Sequence, residues 1–403
     1  MKILITADWH IGKKLHNEDL SEDIQLFFDW LLTTIEQESI QYLLVAGDVF
    51  DHNHPSNEST RIYYQFLQKL NRLNCKAIII AGNHDSPSFI DVPSELLTAF
   101  DIQVFGLFPG MDNVAKTFVP LQDEQGNTVA VVAAIPFLQD RFIRQVGEGE
   151  GAKEIAEKIK QGMKLVMSQI GEAVKKHYPQ IPSIGMAHLH AQGTEVSEAE
   201  REIQIGNQEG VPAGDLEHFD YLALGHIHTG QSVIKGKIQY ASSPISLGFS
   251  ENKYHHKVIQ LEVLQNTIRE TFITVPKNRS LYQLAGTMDE IETQIKSLQN
   301  KYTLQALLDI KIQEKTFDST IQDKLAAIKT ELANTRNMKI VNTRIVFEDK
   351  AAQRFSTTFN AHELNELNPI KVVGELIPES TAEKEKQQLI ELFSQIYADV
   401  NQA

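Results

Sequence analysis

The chain has 403 residues, 42% of them apolar and 23% charged, with a formal net charge of −15, enough apolar content for two or three domains with substantial cores. No apolar run approaches the ~20 residues that span a bilayer, and Cys75 is the only cysteine, which excludes an intramolecular disulfide and a thiolate metal site and suits a reducing cytoplasm. The acidic balance argues against a nucleic-acid partner in bulk, but it is uneven: residues 276–347 hold 11 Lys/Arg against 8 Asp/Glu, whereas residues 1–275 hold 22 against 35.

The first apolar run, Ile3-Leu4-Ile5, reads as a buried strand leading directly into Asp8-Trp9-His10. Cleaving a leader there would remove those polar side chains, so no export signal is read. A helix is expected over roughly Asp23 to Gln37, with Ile24, Phe27, Phe28, Leu31 and Ile35 on one face. The run Tyr42-Leu43-Leu44-Val45 is a second strand, ending in Gly47-Asp48-Val49-Phe50-Asp51. A second helix starts after Pro55-Ser56 and buries Ile62, Tyr63, Phe66, Leu67 and Leu70. The strand Ala77-Ile78-Ile79-Ile80 then ends in Gly82-Asn83-His84-Asp85. After a glycine-rich break at Gly147–Gly151, the spacing of Ile155, Ile159, Met163, Val166, Ile170 and Val174 predicts a long helix that Pro179 ends. Ile184-Gly185-Met186 leads to His188, the polar, acid-rich stretch between Gly193 and Gly214 reads as a long loop beside the site, and Tyr221-Leu222-Ala223-Leu224 leads to Gly225-His226-Ile227-His228.

Beyond Val275 the pattern changes. A linker marked by Pro276 and Asn278 precedes a helix (Met288, Ile291, Ile295, Leu298), a strand (Ala306 to Ile312), a helix (Ile321, Leu325, Ile328, Leu332) and a strand (Lys339 to Phe347). The last residues read as helical, with Asn368-Pro369 as a helix start, Ser380-Thr381-Ala382-Glu383 as a capping box, and an apolar stripe of Leu389, Leu392, Phe393, Ile396 and Val400. The predicted division is therefore 1–275, 276–347 and 348–403.

Five strand ends carry Asp, His or Asn. Buried strands of an α/β layered fold end in loops on one edge, where ligands collect, so these residues point to one metal centre. Two divalent cations about 3.5–4 Å apart can clamp a phosphate and lower the pKa of a water between them. Asp48 is the natural bridge between two such ions. Asp8 and His10, two residues apart on an extended segment, point the same way and can grip one ion. His226 and His228 share that spacing, and His188 is a lone ligand. Asn83 offers a hard neutral oxygen, suited to manganese or iron rather than copper. His84 follows a ligand without being one, and so lies beside the substrate phosphate, where it can stabilise developing charge or protonate the leaving oxygen. Asp51 is placed to orient it. Trp9 is expected to pack the loop, His52 and His54 flank the site, and His190 reads as a solvated or supporting residue.

These motifs resemble the calcineurin-like metallophosphoesterase superfamily, whose Asp-x-His, Gly-Asp-x-x-Asp, Gly-Asn-His-Asp/Glu, lone His and Gly-His-x-His pattern is complete between Asp8 and His228. The opening Met-Lys-Ile-Leu-Ile-Thr-Ala-Asp-Trp-His-Ile-Gly-Lys, Ala187-His188-Leu189 and Tyr240-Ala241-Ser242-Ser243-Pro244-Ile245 narrow the likeness to the bacterial double-strand-break repair nucleases. The resemblance implies an α/β metallophosphoesterase sandwich of two mixed sheets flanked by helices, a small α/β capping domain over 276–347, and a helical C-terminal tail over 348–403. It implies two Mn2+ ions, one on Asp8, His10, Asp48 and His228, the other on Asp48, Asn83, His188 and His226, with His84 as the catalytic histidine. It implies DNA as substrate, cut as a 3′→5′ double-strand exonuclease and a single-strand and hairpin endonuclease. The implied partner is an SbcC-like ATPase bound by the tail. The implied assembly is a homodimer within a heterotetramer, with Ile62, Phe66, Phe89 and Leu97 as candidate dimer contacts that could equally be core. The sequence departs from the family at Leu189-His190-Ala191, where a Thr is expected near position 190. Two rival readings are a phosphodiesterase for a small nucleotide with the same metal centre, which does not need the appended domains, and a non-catalytic scaffold, which predicts missing ligands.

Overall fold

The computed structural model describes residues 1–143, 151–197, 210–316, 318, 320–335, 337–347, 386–390 and 392. Residues 147–150 of the glycine-rich break, 198–209 of the acid-rich loop, the Asn368-Pro369 and Ser380–Glu383 signals, and Phe393, Ile396 and Val400 lie outside the described residues. Contacts divide the chain into two compact units, Met1–Ser280 with Tyr302–Leu304, and Leu281–Lys301 with Gln305–Ala403.

The first unit has twelve principal strands. They are β1 Lys2–Thr6, β2 Tyr42–Ala46, β3 Lys76–Ile80, β4 Ile102–Phe105, β5 Phe118–Gln122 and β6 Thr128–Ile135, then β7 Ser183–His188, β8 Tyr221–Gly225, β9 Ser232–Ile234, β10 Ile238–Tyr240, β11 Lys257–Leu264 and β12 Thr267–Thr274. They form two mixed six-stranded sheets, ordered β12-β11-β1-β2-β3-β4 and β9-β10-β8-β7-β6-β5. Within them β1 to β4 run parallel, as do β6, β7, β8 and β10. Parallel strands are covered on both faces, which is why their sequences read as unbroken apolar runs.

The two sheets face each other. Ile3, Ile5, Leu44, Ala46, Ile78 and Ile80 of the first pack with Val132, Ala134, Ile184, Met186, Tyr221 and Ala223 of the second. Alternate residues of the first sheet (Leu4, Leu43, Val45, Ala77, Ile79) meet Phe27, Phe28 and Leu31 of helix Ser21–Glu38 and Ile62, Phe66 and Leu70 of helix Asn57–Arg72. The outer face of the second sheet (Val131, Ala133, Leu222, Leu224) meets Met167, Ile170 and Val174 of helix Ala152–His177. The result is a helix–sheet–sheet–helix sandwich, as the alternation along the chain predicts. All three helices lie where their apolar spacing puts them. Ser56 caps the second by accepting from Ser59 N at 3.0 Å. The end of the unit is pinned by the buried ion pair of Arg279 with Asp23, in which Arg279 Nε lies 2.9 Å from both carboxylate oxygens.

In the second unit, β13 Leu281–Gly286, β14 Ala306–Glu314 and β15 Met338–Phe347 form a three-stranded parallel sheet. Helices Met288–Ser297 and Ile321–Thr335 bury Ile291, Ile295, Leu325 and Ile328 with Leu308 and Ile310 of the sheet. The first of these helices starts with a Thr287/Glu290 capping box. Among the described residues no helix is long and apolar enough to cross a membrane.

Of the two places open to the candidate dimer contacts, this packing puts three in the core. Ile62, Phe66 and Leu97 are buried in the chain's own core, and Phe89 packs against the same cluster. Phe66 stacks on Phe28 at 4.3 Å and meets Trp9 edge-on at 5.3 Å. The helix spends this apolar face on covering β1 to β3, leaving none of it for a partner. Replacing Phe66 by Ala is expected to lower the unfolding free energy by about 3–5 kcal/mol, measured by urea denaturation of the metal-free protein.

Candidate metal centre

The parallel ends of β1, β2, β3, β7 and β8 converge, and the turns after β1, β2 and β8 are strained. Asp8, His10, Asp48 and His226 all have positive φ, at 53°, 45°, 49° and 99°. Such backbone costs about 1–3 kcal/mol per residue and persists only where its surroundings over-determine it. Here the first two motifs lace together: Asp8 N donates to Gly47 O at 3.0 Å, His10 N to Asp48 O at 3.0 Å, and Ile11 N to Val49 O at 2.9 Å. The buried carboxylate of Asp85 ties the third motif to the second. Its Oδ1 accepts from Phe50 N at 2.9 Å, and its Oδ2 from Val49 N at 3.1 Å and Gly82 N at 2.8 Å. A Cβ on Gly82 would lie 2.1 Å from Asp48 Oδ1, so only glycine lets these loops approach so closely.

The side chains converge into three overlapping sets, of which the middle one, His10, Asp48 and His84, also has its ligand atoms within 4.8 Å of one another. One ligand atom each from Asp8, His10 and His228 lie within 4.8 Å of one another, and so do those of Asp48, His188 and His226. Asp48 faces both outer sets, with Oδ2 3.5 Å from His10 Nε2 and 3.3 Å from His188 Nε2. Asn83 Oδ1 joins the set of His188 and His226, 3.0 Å from both His188 Nε2 and His226 Nδ1.

Outer contacts decide which ring nitrogen faces inward. His188 Nδ1 donates to the Ala46 carbonyl at 2.9 Å, so Nε2 is the nitrogen that faces Asn83 and Asp48 and would be free to ligate once deprotonated. His228 Nδ1 donates to Glu251 Oε1 at 2.8 Å. His84 Nδ1 donates to the Asp51 carbonyl at 2.9 Å, and its backbone N–H donates to Asp48 Oδ1 at 3.0 Å.

This pocket demands positive charge. Asp8 Oδ2 and His10 Nε2 are buried with no hydrogen-bond partner among the described residues. Burial lifts the Asp8 carboxyl to about 7 against the pull of His188 and His228. Burial alone would raise Asp48 too, but the charge and hydrogen bond of His188, with His10 and His84, hold it well below the usual carboxylate range. Burial disfavours an imidazolium at His188, yet the charge and hydrogen bond of Asp48, with Asp8, push it up to about 9. At His10 burial dominates and brings the ring down to about 4. Carboxylate, amide and imidazole lone pairs facing one another in a dry pocket are satisfied by divalent cations, and this donor set of N and O atoms fits them.

Two site residues depart from expectation. The Asp51 carboxylate does not face His84; it lies 3.1 Å from His10 Nδ1 and 3.2 Å from Lys13 Nζ. His84 is held by the Asp51 main chain instead. Burial opposes ionisation of Asp51, but His10, Lys13 and His52 bring its pKa down to about 2. Trp9 is fully buried, packing edge-on against Phe28 at 4.8 Å. His190 lies beside His226, with ring centroids 6.3 Å apart. Sequence reasoning missed Asp85 and Glu251. Asp85 stands inside the third motif and was available to it; Glu251 lies 23 residues past His228 and carried no signal.

Residues 1–230 match the family model of the calcineurin-like phosphoesterases, a span that contains all five motifs. The chain belongs to the calcineurin-like phosphoesterase family. Among curated relatives, this phosphoesterase is similar to the SbcD component of the nuclease SbcCD from Escherichia coli (strain K12), 28% identical over 414 residues, covering 98% of this chain and 97% of the relative. The protein of the same name from Rhodobacter capsulatus is 33% identical over 272 residues, covering 65% of this chain and 66% of the relative. Among solved structures, TT1561 of Thermus thermophilus aligns over 68% of this chain and 99% of its own with a TM-score of 0.36 and 12% identity, too distant to bear on the reading. Members of this family are metal-dependent phosphoesterases, and the pocket supplies what a divalent metal needs.

Asp85 gives a direct check on the loop architecture. In the Asp85→Asn variant an amide NH2 must meet at least one of the three backbone N–H groups that the carboxylate now accepts. The loss is expected to be about 1–3 kcal/mol of stability, read by denaturant unfolding without metal, together with weakened metal uptake.

Proposed function

We propose that this phosphoesterase is a manganese-dependent DNA nuclease, a 3′→5′ exonuclease on duplex ends and an endonuclease on single strands and hairpins. We propose that it works in the cytoplasm with an SbcC-like ATPase. The observation that carries the two-metal part of this reading is the position of Asp48 between the two outer ligand sets. The nuclease part is supported by the likeness to the SbcD component of the nuclease SbcCD over nearly the whole chain. The complete ligand set speaks against a scaffold.

In this reading Asp8, His10, Asp48 and His228 hold one ion, and Asp48, Asn83, His188 and His226 the other. Bound there, two divalent ions would supply Lewis acidity and an activated water. His84 is the catalytic histidine. With Nδ1 committed to the Asp51 carbonyl, its Nε2 as imidazolium can donate to a phosphate oxygen or to the leaving oxygen. Asp51 acts through His10, fixing that ring's orientation. The dry walls around Asp8 and Asp48 exclude bulk water and strengthen each of these interactions.

The functional division we propose is a nuclease domain over 1–275, a capping domain over 276–347 and a partner-binding tail over 348–403. Of the tail's apolar stripe, Leu389 and Leu392 are described and exposed. A homodimer is proposed through the short helices Pro87–Asp91 and Ser94–Thr98, where Val92 is 83% and Leu96 65% exposed, with Phe100 exposed beside them. Apolar residues so displayed in one segment fit a two-fold contact with a second copy.

The chain should cleave hairpin DNA and bis-p-nitrophenyl phosphate with Mn2+ and neither with chelator; hydrolysis of the diester but no DNA would favour a small nucleotide substrate. Asp48→Ala is expected to abolish turnover and to cost at least one bound ion by elemental analysis. His84→Ala should keep both ions and lose about 10²–10⁴ in rate; loss of metal there would contradict its role. Leu96→Glu should yield a monomer by light scattering with metal binding intact. Deleting residues 350–403 should spare diester hydrolysis and end co-purification with the ATPase.

A further inference from the structure

Glu251 is a glutamate with no solvent exposure, placed in the turn Phe249–Lys253 between β10 and β11. Burying a carboxylate is costly unless each oxygen is hydrogen-bonded, and here both are. Oε1 accepts from His228 Nδ1 at 2.8 Å and from Ser197 Oγ at 3.0 Å, and Oε2 accepts from Leu247 N at 2.7 Å. The turn itself is braced: Tyr254 N and Ser246 Oγ both reach the Glu251 carbonyl, at 2.8 and 3.3 Å. Ser246 Oγ also lies 3.1 Å from His256 Nε2. Three segments distant in sequence thus meet on one carboxylate: the loop after His188, the fifth motif, and the turn before β11.

From this geometry we infer that Glu251 is a positioning residue for one of the two metal ions: it fixes the His228 tautomer and ring angle so that Nε2 faces Asp8 and His10, and Ser197 holds the carboxylate for that task. The inference deepens the two-metal reading and rests on it. An imidazole that donates from Nδ1 to a carboxylate has its lone pair on Nε2, and the hydrogen bond makes that nitrogen a stronger base. On the other ion's side, His188 does not depend on Glu251, since it takes its orientation from the Ala46 carbonyl. A backbone carbonyl orients one side of the centre and a buried charge orients the other. The two sites therefore differ in how easily substitution can disable them one at a time.

Glu251→Gln separates the two sites. The amide nearly matches the carboxylate in size, but its NH2 must face either Leu247 N–H or the His228 and Ser197 donors. Titration of Mn2+ alone into the full-length metal-free chain, by calorimetry, is expected to show two ions on the wild type. On Glu251→Gln one binding step should weaken about 10–100-fold while the other is unchanged. His188→Ala should give the complementary pattern. Circular dichroism in the absence of metal monitors the fold. Two unchanged steps on folded Glu251→Gln would overturn the inference and leave the two-metal reading intact. Fewer than two ions on the wild type would overturn that reading and the inference with it. A second measurement needs no variant: imidazole nitrogen NMR of the metal-free wild type, at a pH high enough that the ring is neutral, should find the His228 proton on Nδ1, and a proton on Nε2 instead would overturn the proposal.

Discussion

Two buried carboxylates, Asp8 and Asp48, sit in one pocket almost without solvent. Like charges in a dry site repel strongly, and burial penalises each. Everything around them answers that constraint. Three histidines, His10, His84 and His188, surround Asp48, and His188 is drawn toward the charged form by it. Two polar atoms, on Asp8 and His10, remain with no hydrogen-bond partner among the described residues. A pocket built this way is stable as a cation site and poor as anything else, since uncharged occupants would leave the carboxylates uncompensated.

Holding such a site together requires rigidity from outside it. The strained backbone at Asp8, His10, Asp48 and His226 comes at the ends of parallel strands whose own positions are set by the core between two sheets. Asp85 then collects three backbone N–H groups from two loops, so a side chain that touches no ligand atom in this structure fixes the spacing between the second and third motifs. Ring orientation is assigned by separate acceptors for His188, His84, His10 and His228: two main-chain carbonyls and two carboxylates. The ligands are thus positioned by groups that local sequence does not advertise.

The helices that flank the first sheet illustrate a second trade. Their apolar faces read from sequence as either core or interface. The core took them, because β1 to β3 present an apolar outer face that must be covered. Beside this sheet Val92, Leu96 and Phe100 stay exposed, on or just after short helices with too few turns to show a periodic stripe. That is why apolar spacing drew attention to the buried residues of this region rather than to the exposed ones.

What the sequence determined by itself was which side chains meet in the pocket and the sandwich that carries them. Strand-end motifs are local: the chemistry of Asp8, Asp48, Asn83, His188 and His226 and the apolar runs before them lie within a few residues of one another. Helix positions followed for the same reason, since apolar spacing is a local record of which face is buried. The tertiary structure decided the partners. Asp51 and His84 are 33 residues apart and could have paired through the carboxylate, but the loop turns that carboxylate toward His10 and Lys13 and leaves only the main chain for His84. Glu251 became the acceptor for His228 only because β10 and β11 return the chain to the pocket. Hydrogen-bond partners chosen across such distances depend on loop geometry and register, which no local pattern of residues encodes.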